Sequence, residues 1–121
     1  MTIEDVWPTE IRLRADRRSL IVCFDDGAEY DLPAEYLRVL SPSAEVQGHS
    51  PEQRQTVPGK RDVTISAVSP VGNYAVRLTF SDRHDSGLYA WRYLRKLGDE
   101  RDALWAGYLK ELSEKGLSRT R

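Results

Sequence analysis

Leu20 to Phe24 is an unbroken apolar run of strand-forming residues that stops at Asp25-Asp26-Gly27, and this strand-and-turn unit constrains the fold more than any other segment. Glycine accepts the positive φ that a tight hairpin turn requires. On the near side Ile11 and Leu13 alternate with Arg12 and Arg14 ahead of the polar turn Ala15-Asp16-Arg17-Arg18. On the far side Ala28, Tyr30 and Leu32 alternate with polar residues. A period of two on both sides predicts a three-stranded antiparallel meander. Val63, Ile65 and Ala67, then the turn Ser69-Pro70-Val71-Gly72, then Tyr74, Val76, Leu78 and Phe80 in alternation predict a second hairpin.

Helical signals follow each strand group. Pro33 pre-sets the backbone for a first turn, and Ala34 to Leu40 places Tyr36, Leu37 and Leu40 on one face, predicting a short helix. Leu88, Trp91 and Leu94 recur at three-residue spacing after Asp85 or Ser86 as cap, with Gly98 as the stop. Asp99 then caps a last helix whose face is Leu104, Trp105, Tyr108, Leu109 and Leu112, with Glu111 and Lys115 spaced to pair and Gly116 ending it. Strands grouped before helices make the class α+β: two small antiparallel sheets, one short helix after the third strand and two C-terminal helices. The 121 residues suit one domain with its core at about 7–112 and a frayed tail at 117–121. Residues 41–60 are poor in apolar side chains beyond Val46 and Val57 and predict a long loop, functional or disordered.

Composition closes off several function classes. Charged residues make up 31% of the chain, yet the formal net charge is -1, so no overall field draws it to nucleic acid or to a membrane. The basic groups Arg12, Arg14, Arg17 and Arg18, and Arg92, Arg95 and Lys96, read as solvated faces and helix-dipole complements. Cys23 is the only cysteine, which excludes an internal disulfide or a Cys-rich zinc site and fits a reducing cytoplasm. No apolar stretch nears the ~20 residues of a membrane helix, and the first residues lack the pattern of an export signal.

Chemistry has few places to reside. None of Ser41, Ser43, Ser50 and Ser86 lies in a Gly-x-Ser-x-Gly elbow, and the eight glycines form no phosphate-binding fingerprint. The two histidines, His49 and His84, with a carboxylate from Glu45, Asp82 or Asp85, are the donor set available to zinc or iron. Trp91, Trp105, Tyr89, Tyr93 and Tyr108 fall at helical spacing and read as core, not as a stacking platform for bases.

The segments Leu37 to Val46, Gly59-Lys60-Arg61, Val71 to Ala75 and Asp82 to Gly87 together resemble the gamma-butyrobetaine hydroxylase-like N-terminal domain family, over roughly residues 7–112. Stand-alone bacterial members look very like this sequence. Related domains precede carnitine-biosynthesis dioxygenases or are fused to Mrp-type ATPases that carry iron-sulfur clusters. The resemblance implies a zinc site of three cysteines and one histidine in the dioxygenases, whose cysteine positions here read Ser41, Ser43 and Val46, so that only His84 remains. It further implies that hydrogen bonds among Ser41, Ser43, Glu45 and His84 replace the metal. The oxygenase catalytic half is missing, which leaves a non-enzymatic accessory or interaction module, without a cofactor, whose protein partner is an iron-sulfur carrier or an oxygenase-type enzyme. The alternative is a metal- or small-ligand-binding protein using His84 and His49. Candidate binding residues are Ser41, Ser43, Glu45, Arg61, Asn73, Asp82, Asp85 and Trp91, with His84 and His49 as the metal candidates.

Overall fold

A computed structural model describes residues 7–48 and 51–120, with the Pro51 side chain left out. Two antiparallel three-stranded sheets, β1 (Pro8–Leu13), β2 (Ser19–Phe24), β3 (Glu29–Pro33) and β4 (Ile65–Val71), β5 (Ala75–Phe80), β6 (Leu88–Ala90), each follow chain order. The described residues also form the helical segments α1 (Ala34–Val39), α2 (Ala44–Gln47), a 3-10 turn (Pro51–Gln53), α3 (Trp91–Asp99) and α4 (Arg101–Glu114). The expected α+β architecture is observed. Leu20, Val22 and Phe24 of β2, Val76, Leu78 and Phe80 of β5, Tyr89 of β6, Tyr36 and Leu37 of α1, Leu94 and Leu97 of α3, and Tyr108 and Leu112 of α4 meet in one cluster.

The meander forms as its pattern demands. Gly27 takes φ +91, its N–H bonds to the Phe24 carbonyl, and β2 pairs in regular register with β3 and, with one irregularity between Pro8 and Glu10, with β1. The second hairpin turns later than its sequence suggested. Ser69 and Pro70 stay in β4, with Pro70 opposite Val76, and the chain reverses at Gly72, φ +54. Proline is tolerated because β4 is an edge strand whose outer N–H groups need no partner.

The Leu88, Trp91, Leu94 spacing crosses a boundary between two kinds of structure. Leu88 to Ala90 is a strand on the free edge of β5, with Tyr89 buried and its neighbours outside, and the helix begins only at Trp91. Asp85 and Ser86 therefore do not cap it. The Trp91 N–H is satisfied by the Tyr74 carbonyl. Gly98 and Asp99 also stay within α3, and the chain breaks at Glu100 before α4.

Three further expectations change. The stretch at 41–60 is not structureless, since it contains α2 and the 3-10 turn, with Val46 buried beneath it. On α4, Leu109 is exposed, while Glu111 pairs with Arg54 and Lys115 bonds to Thr56, so these two side chains reach the 54–56 segment. Finally, residues 117–120 are tied down. Ser118 and Arg119 offer their carbonyls to the Gly59 and Arg61 N–H groups, and the Arg119 guanidinium grips Glu35 at 2.7 Å through two bonds while lying over Trp105. Gly116 at φ +65 supplies the turn that makes this return possible, with the Leu117 N–H bonded to the Leu112 carbonyl.

Two helical glycines separate packing from propensity. A Cβ at Gly98 would stand 2.5 Å from the Tyr30 ring, whereas at Gly107 it would meet nothing within 4 Å. Gly107→Ala is expected to stabilise by about 0.5–1 kcal/mol. Gly98→Ala is expected to destabilise by about 1–3 kcal/mol, because overpacking outweighs the propensity gain. Urea unfolding of the two variants checks the opposite signs.

Candidate functional site

The end of α1 and the β5–β6 connection form one polar corner. Ser41 comes after Leu40, the residue that ends α1, and Ser43 precedes α2 without capping it through its side chain. Across from them, the chain after β5 folds into a turn closed by the Phe80 N–H on the His84 carbonyl and the Arg83 N–H on the Phe80 carbonyl, both 2.9 Å. The turn requires Arg83 at φ +72. Its product is a histidine ring aimed inward, packed beside Phe80 and only 7% exposed.

His84 Nε2 lies 2.9 Å from Ser41 Oγ and 3.4 Å from Ser43 Oγ, and Nδ1 lies 3.5 Å from a Glu45 carboxylate oxygen. The Ser86 hydroxyl donates to the other Glu45 oxygen at 3.0 Å. With Nδ1 protonated toward Glu45, Nε2 accepts the Ser41 hydroxyl proton, while Ser41 Oγ itself accepts the Ser43 N–H. Gly87 allows the close approach, because a Cβ there would fall 2.5 Å from Ser41 Oγ. Beneath the ring, Asp82 accepts Arg38 Nε at 2.8 Å, Lys60 Nζ at 2.6 Å and the His84 N–H at 3.2 Å.

These contacts set the charges. Burial lowers the His84 pKa from its ordinary 6.5, with the Arg38 charge acting the same way and Glu45, Asp82 and Asp85 opposing. Burial pushes the Asp82 carboxyl upward, but hydrogen bonds from Lys60, Arg38 and the His84 N–H outweigh it and bring the pKa down to about 2. Neutral imidazole beside an ionised carboxylate is the resting state at neutral pH.

Ser41, His84 and Glu45 have the connectivity of a nucleophile, base and orienting acid. Their placement opposes that use, since Ser41 is 0% exposed and a carbonyl substrate has no route to its Oγ. The donor chemistry equally fails to fit the zinc implied by the family resemblance. Thiolates and imidazoles hold structural zinc, whereas the corner offers two hydroxyls, one imidazole already hydrogen-bonded, and the apolar Val46. Among the described residues no group of three or more His, Cys, Asp and Glu side chains is placed to hold a metal. His49 lies outside the described residues.

The remaining sequence candidates scatter. Asn73 gives its carbonyl to the Trp91 indole N–H at 2.8 Å, away from the corner's hydrogen bonds. Arg61 contributes its backbone N–H to the tail, and Asp85 acts on His84 only through its charge. Sequence reasoning did not single out Arg38 and Lys60, which hold Asp82. The available signal was Arg38 itself, a charged residue on a helix whose six residues are all buried.

Stability should therefore fall with acid in two stages. The folded pKa of His84 is depressed, so its contribution is complete above about pH 6.5 and is lost as pH falls from there through the folded value. Asp82 contributes fully above 3.8 and loses its share toward about 2. His84→Gln is expected to abolish the first stage and leave the second, as read by urea unfolding across acidic and neutral pH. Tag-free protein is expected to carry substoichiometric zinc and iron by elemental analysis.

The family of the chain is shown by its similarity to known proteins. Residues 11–95 match the family described as gamma-butyrobetaine hydroxylase-like, N-terminal. None of the curated proteins matches the chain. One protein solved by NMR in solution is 47% identical with TM-score 0.80, the match covering 93% of this chain and 89% of that one. A second NMR structure is 43% identical with TM-score 0.81, covering 98% and 90%. A crystal structure of a protein with unknown function from Acidithiobacillus ferrooxidans, of the DUF971 family, is 42% identical with TM-score 0.63, covering 75% and 91%. The chain belongs to the gamma-butyrobetaine hydroxylase-like N-terminal domain family.

Proposed function

We propose that the chain is a non-catalytic accessory module of the cytoplasm that binds an extended segment of a protein partner, with the His84 corner as an internal clasp. The single observation carrying this reading is a mainly apolar groove of about 400 Å³ between β1 and the β4–β5 hairpin, lined by Pro8, Ile11, Val68, Pro70, Val76 and Trp91 with Thr9 and Glu10. Trp7, the residue before Pro8, is 51% exposed, and Tyr74, whose carbonyl holds the Trp91 N–H, is 54% exposed. Exposed tryptophan and tyrosine beside an apolar groove are the side chains that anchor protein interfaces. Both β1 and β4 are edge strands, so each presents backbone donors and acceptors to an incoming strand. The absence of catalysis is supported by the burial of Ser41 and by the hydrogen bonds that occupy His84. No helix among the described residues is long and apolar enough to cross a membrane.

The family resemblance names the partner class as an iron-sulfur carrier or an oxygenase-type enzyme. Co-purification from native extract, comparing wild type with the double variant Trp7→Glu and Tyr74→Glu, tests the reading. Both changes are on exposed side chains, so the variant is expected to keep its thermal midpoint while losing at least about tenfold of the enriched partner, as anchor residues do. Equal recovery by the two proteins, or no enrichment of either partner class, would contradict it.

A further inference from the structure

Asp82 also forms part of the wall of a polar cleft of about 420 Å³, on which Gly59, Lys60, Asp62, Ser81 and Arg83 converge. The two segments that build it, 59–63 and 81–83, include residues of two of the motifs on which the family resemblance rests, yet neither the clasp nor the apolar groove uses the space between them.

The charges around this cleft do not balance. Lys60 and Arg38 both bond to Asp82, which also accepts the His84 N–H. Arg38 is 9% exposed, and its Nη1 is buried without a hydrogen-bond partner among the described residues. Arg83 is exposed, and its guanidinium has no ion pair or hydrogen bond among the described residues. Lys60 and Arg83 on the cleft wall are matched in number by Asp62 and Asp82, and Arg38, bonded to Asp82 from outside the wall, adds a third cation. Ser81 Oγ accepts the Thr64 N–H at 3.0 Å, so its own proton remains available to donate. Lys60 likewise holds three N–H donors, of which Asp82 takes one.

Backbone geometry points the same way. Arg83 sits at φ +72, a region that disfavours an arginine and that glycine occupies freely. The turn alone would be better served by glycine, and what arginine adds at that position is a cation on the rim of the cleft.

We propose that this cleft binds an oxyanion, a phosphate or carboxylate group, held between Lys60 Nζ and the Arg83 guanidinium with the Ser81 hydroxyl as a third donor. Arg38, behind Asp82, shares that carboxylate with Lys60, so one carboxylate serves two cations. Charge-assisted bonds of this kind are the strong ones in a partly dry site. The proposal is independent of the partner-binding groove, which is lined by other residues.

Titration of isotope-labelled protein with inorganic phosphate and, separately, with acetate, each against sodium chloride at equal ionic strength, tests it by amide chemical shift. Saturable shifts confined to residues 59–63 and 81–83 are expected from at least one anion. The stronger binder tells a phosphorylated ligand from a carboxylate-bearing one. Arg83→Gly is expected to raise the thermal midpoint by relieving the backbone while weakening the anion at least about tenfold. Arg83→Gln should weaken it similarly and keep the same turn. Shifts no different from those of chloride, or unchanged affinity in both Arg83 variants, would overturn the proposal.

Discussion

α1 is buried along its whole length, and the rest of the architecture follows from how its backbone is satisfied. A helix leaves its last carbonyls without intrahelical partners, and water cannot reach these. The Tyr89 hydroxyl donates to the Leu37 carbonyl and the Tyr93 hydroxyl to the Leu40 carbonyl, both at 2.5 Å, while the Gln47 amide reaches the Ser41 carbonyl at 2.8 Å. The Ser41 N–H closes on the Arg38 carbonyl at 3.3 Å. Tyr89 lies on β6 and Tyr93 on α3, so satisfying one short helix fixes the second sheet and the first long helix against it. Two more tyrosines repeat the device, Tyr36 on the Leu97 carbonyl and Tyr108 on the Val57 carbonyl. Burial raises the pKa of all four phenols, which keeps them protonated donors at any ordinary pH.

The charged residues of α1 obey the same constraint. Glu35 and Arg38 would each carry an uncompensated charge into the interior, a severe penalty. Arg119 from the C-terminal segment answers the first, and Asp82 from the β5–β6 turn answers the second. The His84 corner is therefore continuous with the pairing that lets α1 be buried at all. This chain joins the two segments with hydroxyls and an imidazole, and Asp82, Arg38 and Lys60 lock the turn from below.

What could be read from the sequence was what is decided locally. Asp25-Asp26-Gly27 and Gly116 carry their turn geometry in their own residue types, and the alternation over 63–80 identifies strands whatever surrounds them. Failures came where a distant partner overrides a local signal. Three-residue spacing at Leu88, Trp91 and Leu94 read as one helix because the free edge of β5, which captures residues 88–90, is invisible to periodicity. Gly98 looked like a stop, but its lack of a side chain serves the Tyr30 ring. The tail looked frayed because Glu35 lies 84 positions away from Arg119. At the corner, His84 stood out as one of two histidines, but its link to Ser41 came from resemblance, since no local pattern relates residues 43 positions apart.

The central claim is that Ser41 and His84 act as one unit that fastens the end of α1 to the β5–β6 turn. A double-mutant cycle in urea unfolding, built from Ser41→Ala, His84→Ala and the pair, measures this most directly. Coupling of about 1–2 kcal/mol is predicted, as for a buried hydrogen bond whose loss strands its partner. Effects that add to within about 0.3–0.5 kcal/mol would contradict it and reduce the corner to two residues that merely lie close together.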